Sequence, residues 1–166
     1  MIHSKSLLHA AEIQTPIGQI LVIADEKFVH QISFLETKSL TEHIEHLCTE
    51  MSCNITLGFS APIHSIEQEL DQYFKAGLRH FNTPIYMAGS LFYQTVWLAL
   101  RSIPFAQTHS YGQIAQSIDR PRAFRAVARA NAANKHAIII PCHRVINANG
   151  QLGGYSAGIE RKKWLF

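Results

Sequence analysis

Three short apolar runs open the chain, at residues 7–14, 19–24 and 28–34, each rich in Ile, Val, Leu and Phe. Thr15-Pro16-Ile17-Gly18 and the polar Asp25-Glu26-Lys27 separate them, a pattern that predicts an antiparallel meander of strands. A polar helical segment is expected over 39–49. Over 63–76 the apolar residues Ile66, Leu70, Tyr73 and Phe74 recur at helical spacing, and Gly77 should stop that helix. Pro84 and Gly89 interrupt the pattern within 82–89, so a boundary is expected there, dividing the chain into 1–85 and 86–166.

Beyond the boundary the pattern becomes mostly helical. Ser90 is placed to cap a helix whose Phe92, Val96, Trp97 and Leu100 face one way, closed by Pro104. Ser110 and Gln113 form an S-x-x-Q capping box for a helix running to about Ile118. The turn Asp119-Arg120-Pro121 leads to a third helix, expected over 122–133 and carrying Arg122, Arg125 and Arg129. Two short helices across a tight turn, the second basic, have the shape of a helix-turn-helix. An apolar strand is expected at 137–140, then an Asn149-Gly150 turn and a last helix. The fold class expected is α+β: a small antiparallel-sheet domain with helices, followed by a mostly helical domain.

Charge sharpens this division. The whole chain is only +3, but residues 1–85 hold five Lys/Arg against ten Asp/Glu, and residues 86–166 hold ten against two. A basic second half suggests a polyanionic partner, although a solvated basic face would look the same. The composition, 47% apolar and 16% charged, is that of a folded globular protein. No apolar run is long enough to span a bilayer, and the first ten residues have no signal-peptide pattern. A cytoplasmic monomer without membrane association is expected. Three cysteines, Cys48, Cys53 and Cys142, argue against a disulfide framework and leave at least one thiol free.

The candidate chemistry lies in Pro141-Cys142-His143-Arg144-Val145. A strand ending in Pro-Cys would hold a thiol at the rim of a core. His143 and Arg144 are close enough in sequence to tune or deprotonate it, because the thiolate is the nucleophile. Taken alone, a cysteine beside a histidine is more often an inert core thiol.

The stretch 140–146 (Ile-Pro-Cys-His-Arg-Val-Ile), followed by Gly153-Gly154-Tyr155-Ser156, resembles the active-site signature of the methylated-DNA–protein-cysteine methyltransferases, or O6-alkylguanine-DNA alkyltransferases. The resemblance continues upstream through Val96-Trp97, Ile103-Pro104, Ser110-Tyr111-Gly112-Gln113-Ile114-Ala115, Arg125-Ala126-Val127 and Asn134, and so covers 90–166. In 1–85 it is weaker, resting on Thr15-Pro16-Ile17-Gly18 and Ser33-Phe34-Leu35-Glu36.

The resemblance implies a single-turnover repair protein that flips O6-alkylguanine from duplex DNA, approached from the minor groove, and keeps the alkyl group on Cys142. It assigns His143 to activating the thiol through a water, Tyr111 to helping guanine leave, and Asn134 to tying the recognition helix to the active segment. Tyr155, Ser156, Val145 and Pro141 become substrate-pocket residues, with Tyr155 packing on the base and Ser156 near the alkylated oxygen. Arg125 becomes the side chain that enters the stack in place of the guanine. Arg122, Arg129, Ser110, Ala123 and Ala126 join it on the DNA face, where small alanines let a helix sit close in the narrower groove. No cofactor is implied.

Some positions depart from the family pattern. The family usually has a glutamate after its last helix that orients the histidine; this chain ends at Phe166, so activity is expected to be present but slow. Lys135 replaces a proline, and Ala106 replaces a glycine in a change expected to be nearly silent. His43, His46, Cys48 and Cys53 have metal-ligand residue types but no zinc-site spacing, so no metal is expected. Two rival functions remain. One is a non-catalytic DNA-binding protein, either a recogniser of alkylated bases or a helix-turn-helix regulator. The other is a cysteine hydrolase, for which the basic half would have no use.

Overall fold

The computed structural model describes residues 7–35 and 40–166. The expectations for Glu36 and for a helix starting at Ser39 lie outside the described residues. The chain divides into two compact units, Met1–Tyr86 and Met87–Phe166.

In the first unit, β1 (Leu7–Thr15), β2 (Gly18–Ala24) and β3 (Val29–Phe34) form the antiparallel meander. A fourth strand, β4 (Asn54–Leu57), was not anticipated. It pairs parallel to β1 and gives a mixed sheet of order β3-β2-β1-β4. Central β2 is buried from Ile20 to Ala24 without alternation, because helices lie on both faces. One face packs Leu8, Ala10, Leu21 and Ile23 with Leu47 of α1 (Leu40–Met51). Against β1 and β2 lies α2 (Ala61–Phe74), which buries Ile63, Ile66 and Leu70. The Glu69 carboxylate accepts from the Asn82 and Thr83 amides (2.7 and 3.2 Å) and the Thr83 hydroxyl (2.8 Å), fixing the segment after α2.

The second unit starts with α3 (Leu91–Arg101), where the Ser90 hydroxyl accepts from the Tyr93 amide as the cap. Both halves of the Ser110–Gln113 capping box form at the start of α4 (Tyr111–Ser117), an arrangement worth about 1 kcal/mol. Then comes α5 (Phe124–Ala132), shorter than expected: Arg122 and Ala123 belong to the turn before it. Helices α3, α4 and α5 pack on one another, and the Trp97 indole donates to the Ala130 carbonyl (2.8 Å), tying α3 to the end of α5. A two-residue parallel ladder joins β5 (His109–Ser110) to β6 (Val145–Ile146), and α6 (Ile159–Leu165) closes the chain.

Two expectations fail here. Residues 137–140 are a turn rather than a strand, with the Ile140 amide returning to the His136 carbonyl (3.0 Å). Ile138, Ile139 and Ile140 are all buried, so the apolar run reflects burial and carries no information about backbone. Ile138 sits at φ +72°, a left-handed conformation that is costly for a β-branched residue. Ala106 is the other: it holds φ +60°, where a Cβ costs energy and glycine does not, so its presence is not silent.

Candidate active site

The active segment is built from the end of α5 by one side chain. The Asn134 amide nitrogen donates to the Ile140 carbonyl (2.9 Å), to Cys142 Sγ (3.2 Å) and weakly to the His136 carbonyl (3.4 Å), while its oxygen accepts from the His136 amide (2.9 Å). This bracket folds 134–142 into successive tight turns. Pro141 then caps a single 3-10 turn, Cys142–Arg144, which runs directly into β6. The parallel ladder sets β5 beside β6, so Tyr111, following β5, and Cys142, preceding β6, line one cleft.

That cleft has a volume of about 230 Å³ and is lined by Tyr111, Ala128, Asn131, Ala132, Cys142, Gly154, Tyr155 and Ser156. Cys142 is buried (4% exposed) at its wall rather than displayed on a rim. Tyr155 and Ser156 arrive on the loop after Gly153, whose φ of +69° and closeness to the Asn147 side chain (a Cβ there would lie 3.1 Å from Oδ1) favour glycine. Pro141 and Val145 are buried on either side of the turn and do not line the cleft.

Burial pushes the Cys142 thiol above its ordinary range; the Asn134 hydrogen bond, the Lys162 charge and the Tyr155 hydroxyl pull it back part of the way. His143 is buried, with neither ring nitrogen hydrogen-bonded. Burial, then the charges of Arg144 and Lys162, bring it down to about 3, so at neutral pH it is an uncharged imidazole. Burial, and then Cys142, also raise Tyr111, which stays a phenol able to donate.

Arg144 does not tune the thiol as its position in sequence suggested. Its guanidinium donates to the Ile103 carbonyl (2.8 Å) and lies 5.5 Å from the centre of the Phe105 ring. The cation that acts on the sulfur is Lys162 of α6, which is fully buried (0% exposed). Its ammonium donates to the carbonyls of Val145 (2.7 Å), Leu152 and Gly154 (3.3 Å), binding the end of the Cys-His-Arg turn to the Tyr155–Ser156 loop.

Arg122, Arg125 and Arg129 are exposed, as is Ala126; Ala123 is half-buried. The Arg125 guanidinium rests 5.8 Å from the centre of the exposed Phe124 ring. Ser110, expected on the DNA face, uses its hydroxyl to cap α4. Among the described residues no three His, Cys, Asp or Glu side chains gather as a metal site, and no helix is long and apolar enough to cross a membrane.

Two family models match this chain. "6-O-methylguanine DNA methyltransferase, DNA binding domain" matches residues 91–166, and "6-O-methylguanine DNA methyltransferase, ribonuclease-like domain" matches 8–87. The chain belongs to the 6-O-methylguanine-DNA methyltransferase family. A methylated-DNA–protein-cysteine methyltransferase of Methanosarcina acetivorans is 35% identical over 95% of this chain and 96% of its own length. One from Salmonella typhimurium is 36% identical over 93% and 91%. Among solved structures, the Mycobacterium tuberculosis O6-methylguanine methyltransferase aligns with TM-score 0.80 at 35% identity, covering 95% of this chain and 90% of that one. The same organism's OGT in complex with DNA aligns at 0.79 and 36%, covering 96% and 89%.

Within this methyltransferase two buried polar residues, one lining the cleft and one behind its wall, escaped the sequence reading. Lys162 stands in Arg161-Lys162-Lys163, which reads as a solvated basic turn, and no local pattern pointed it inward. Asn131 lies in an alanine-rich helix, where a single poor helix former was the available signal.

Proposed function

We propose that this protein repairs DNA by taking the alkyl group from O6-alkylguanine in a duplex onto Cys142. The observation that carries this reading is a buried thiol on the wall of a small cleft, hydrogen-bonded by Asn134 and facing Tyr111, Tyr155 and Ser156, beside a helix with two exposed arginines and a third in the turn before it. A cleft of this size takes one flat base and no duplex, so the nucleotide must leave the stack, at a cost of about a few kcal/mol. The DNA partner is bound by a monomer through the minor groove. Arg125, steadied by Phe124, fills the vacated place in the stack, and Arg122 and Arg129 meet phosphates.

In the resting protein the sulfur is a protonated thiol and His143 a neutral imidazole, which takes the sulfur's proton through a water as the flipped nucleotide arrives. The developing thiolate is favoured by Asn134, the Tyr155 hydroxyl and the Lys162 charge. Sulfur attacks the alkyl carbon, the carbon–oxygen bond breaks, and the electron pair goes to guanine, which regains a proton at N1. Tyr111 donates to the departing ring, and Ser156 assists at the oxygen. The thioether has no route back, so each molecule reacts once.

Mass spectrometry tests the reading. After incubation with an O6-methylguanine duplex, the Cys142 peptide should gain the mass of one methylene, and Cys142→Ser should gain nothing. Retained DNA binding with an unmodified peptide would reduce the protein to a DNA-binding factor.

A further inference from the structure

Two cysteines of the first unit, Cys48 and Cys53, have no part in the transfer reaction, and the local fold sets them together. Helix α1 ends in a left-handed turn. Met51 is its last residue, Ser52 takes φ +51°, and the Ser52 amide returns to the Thr49 carbonyl (3.4 Å). A helix that ends this way packs the side chain just past the left-handed residue against the side chain four positions before that residue. Those two positions are Cys53 and Cys48.

Both residues are held from the core side. Cys53 is buried (7% exposed) in the cluster of Leu8, Ala10, Leu21, Ile23 and Leu47, and Asn54, which follows it, opens β4 in register with Leu7. Cys48 follows Leu47 on α1 and is half-buried; of the three cysteines it is the one within reach of solution. It shares with Cys53 a surface cleft of about 430 Å³. The pair is therefore graded, an accessible thiol with a sheltered one behind it. A disulfide requires Cβ atoms that face each other at short range, and residues packed across one turn meet that requirement.

We propose that Cys48 and Cys53 form a reversible dithiol–disulfide site for small disulfides in solution, separate from the repair cysteine. The Cys48 thiolate attacks one sulfur of the small disulfide, whose S–S bond breaks and releases one small thiolate. Cys53, as its thiolate, then attacks the Cys48 sulfur and expels the second. The two protein thiols give up two electrons and two protons, and the small disulfide leaves as two thiols. Excess small thiol runs both exchanges backwards.

The test is mass spectrometry of the full chain exposed to oxidised glutathione, with remaining thiols trapped by iodoacetamide before digestion. Trypsin releases residues 39–75, which carry both cysteines, apart from 136–144, which carry Cys142. In the natural protein the 39–75 peptide should lose two hydrogens and take up no iodoacetamide. Ring closure in the folded protein should be about tenfold faster than in urea-unfolded protein, because the turn holds the two sulfurs in place. Cys53→Ser should stop at a stable glutathione adduct on Cys48, and Cys48→Ser should acquire glutathione at Cys53 about tenfold more slowly than that. A glutathione adduct that persists on Cys48 in the natural protein, or closure no faster folded than unfolded, overturns the proposal.

Discussion

The two units bury different kinds of residue. Among the described residues of the first unit, apart from Gln31, Ser60 and Thr83, none of them ionisable near neutral pH, the buried ones are apolar. The second unit, of similar length, buries Asn131, His136, His143 and Lys162. Burying an amide, two imidazoles and an ammonium is expensive unless each finds a use. Lys162 finds three carbonyls, whereas the His143 ring and the Asn131 oxygen find no protein partner. The first unit is thus organised for cohesion. The second gives up some cohesion to place proton donors, acceptors and one cation around a sulfur atom.

Substitutions should expose this contrast. At neutral pH the largest change in stability is expected where cohesion is the whole role: Ile23→Ala in central β2 should cost about 3 kcal/mol in denaturant unfolding. The same variant, kept below its unfolding transition, should transfer methyl at the unaltered rate; a slowed rate would mean the units are not functionally distinct. Lys162→Met should cost somewhat less, about 2 kcal/mol, from the carbonyls left unpaired. It should also move the pH profile of Cys142 alkylation by iodoacetamide towards alkaline pH, because a cation that favours the thiolate is gone. A purely structural lysine would lower stability and leave that profile in place.

Acid gives the next effect. The folded protein holds His143 at about 3, whereas an unfolded chain protonates it near the ordinary value of 6.5. Between these values the unfolded state binds more protons, so this contribution is complete above pH 6.5 and falls as pH drops towards 3. The slope is up to about 1.4 kcal/mol per pH unit. His143→Leu should flatten that part of the stability curve; an unchanged slope would place the acid sensitivity elsewhere. Smallest is Ala106→Gly. Relief of the left-handed alanine, less the entropy glycine adds to the unfolded chain, should leave a gain of about 0.5 kcal/mol in thermal unfolding.

How much of this could be read from residues alone follows from how local each signal is. Strands β1 to β3, the helix ending before Gly77 and the Ser90 and Ser110 caps are written in neighbouring positions and were legible. Strand β4 was not: its four residues are largely exposed, and its partner β1 lies more than forty positions away. The apolar run at 137–140 misled because a buried turn and a buried strand require the same side chains. In the site, Cys142, His143 and Asn134 stood in recognisable motifs. The tuning cation did not, because Lys162 reaches the sulfur's surroundings only through the packing of α6, and the nearer Arg144 was the natural but incorrect choice.

The Asn134 bracket has one more consequence. The eight residues before the sulfur, 134–141, possess no helix or strand of their own; they take their order from one amide just past the end of α5. Helix ends open at far lower free energy than the sheet or the packed helical core. Under gentle warming or dilute denaturant, the protein should therefore forget how to react while circular dichroism still reports it intact.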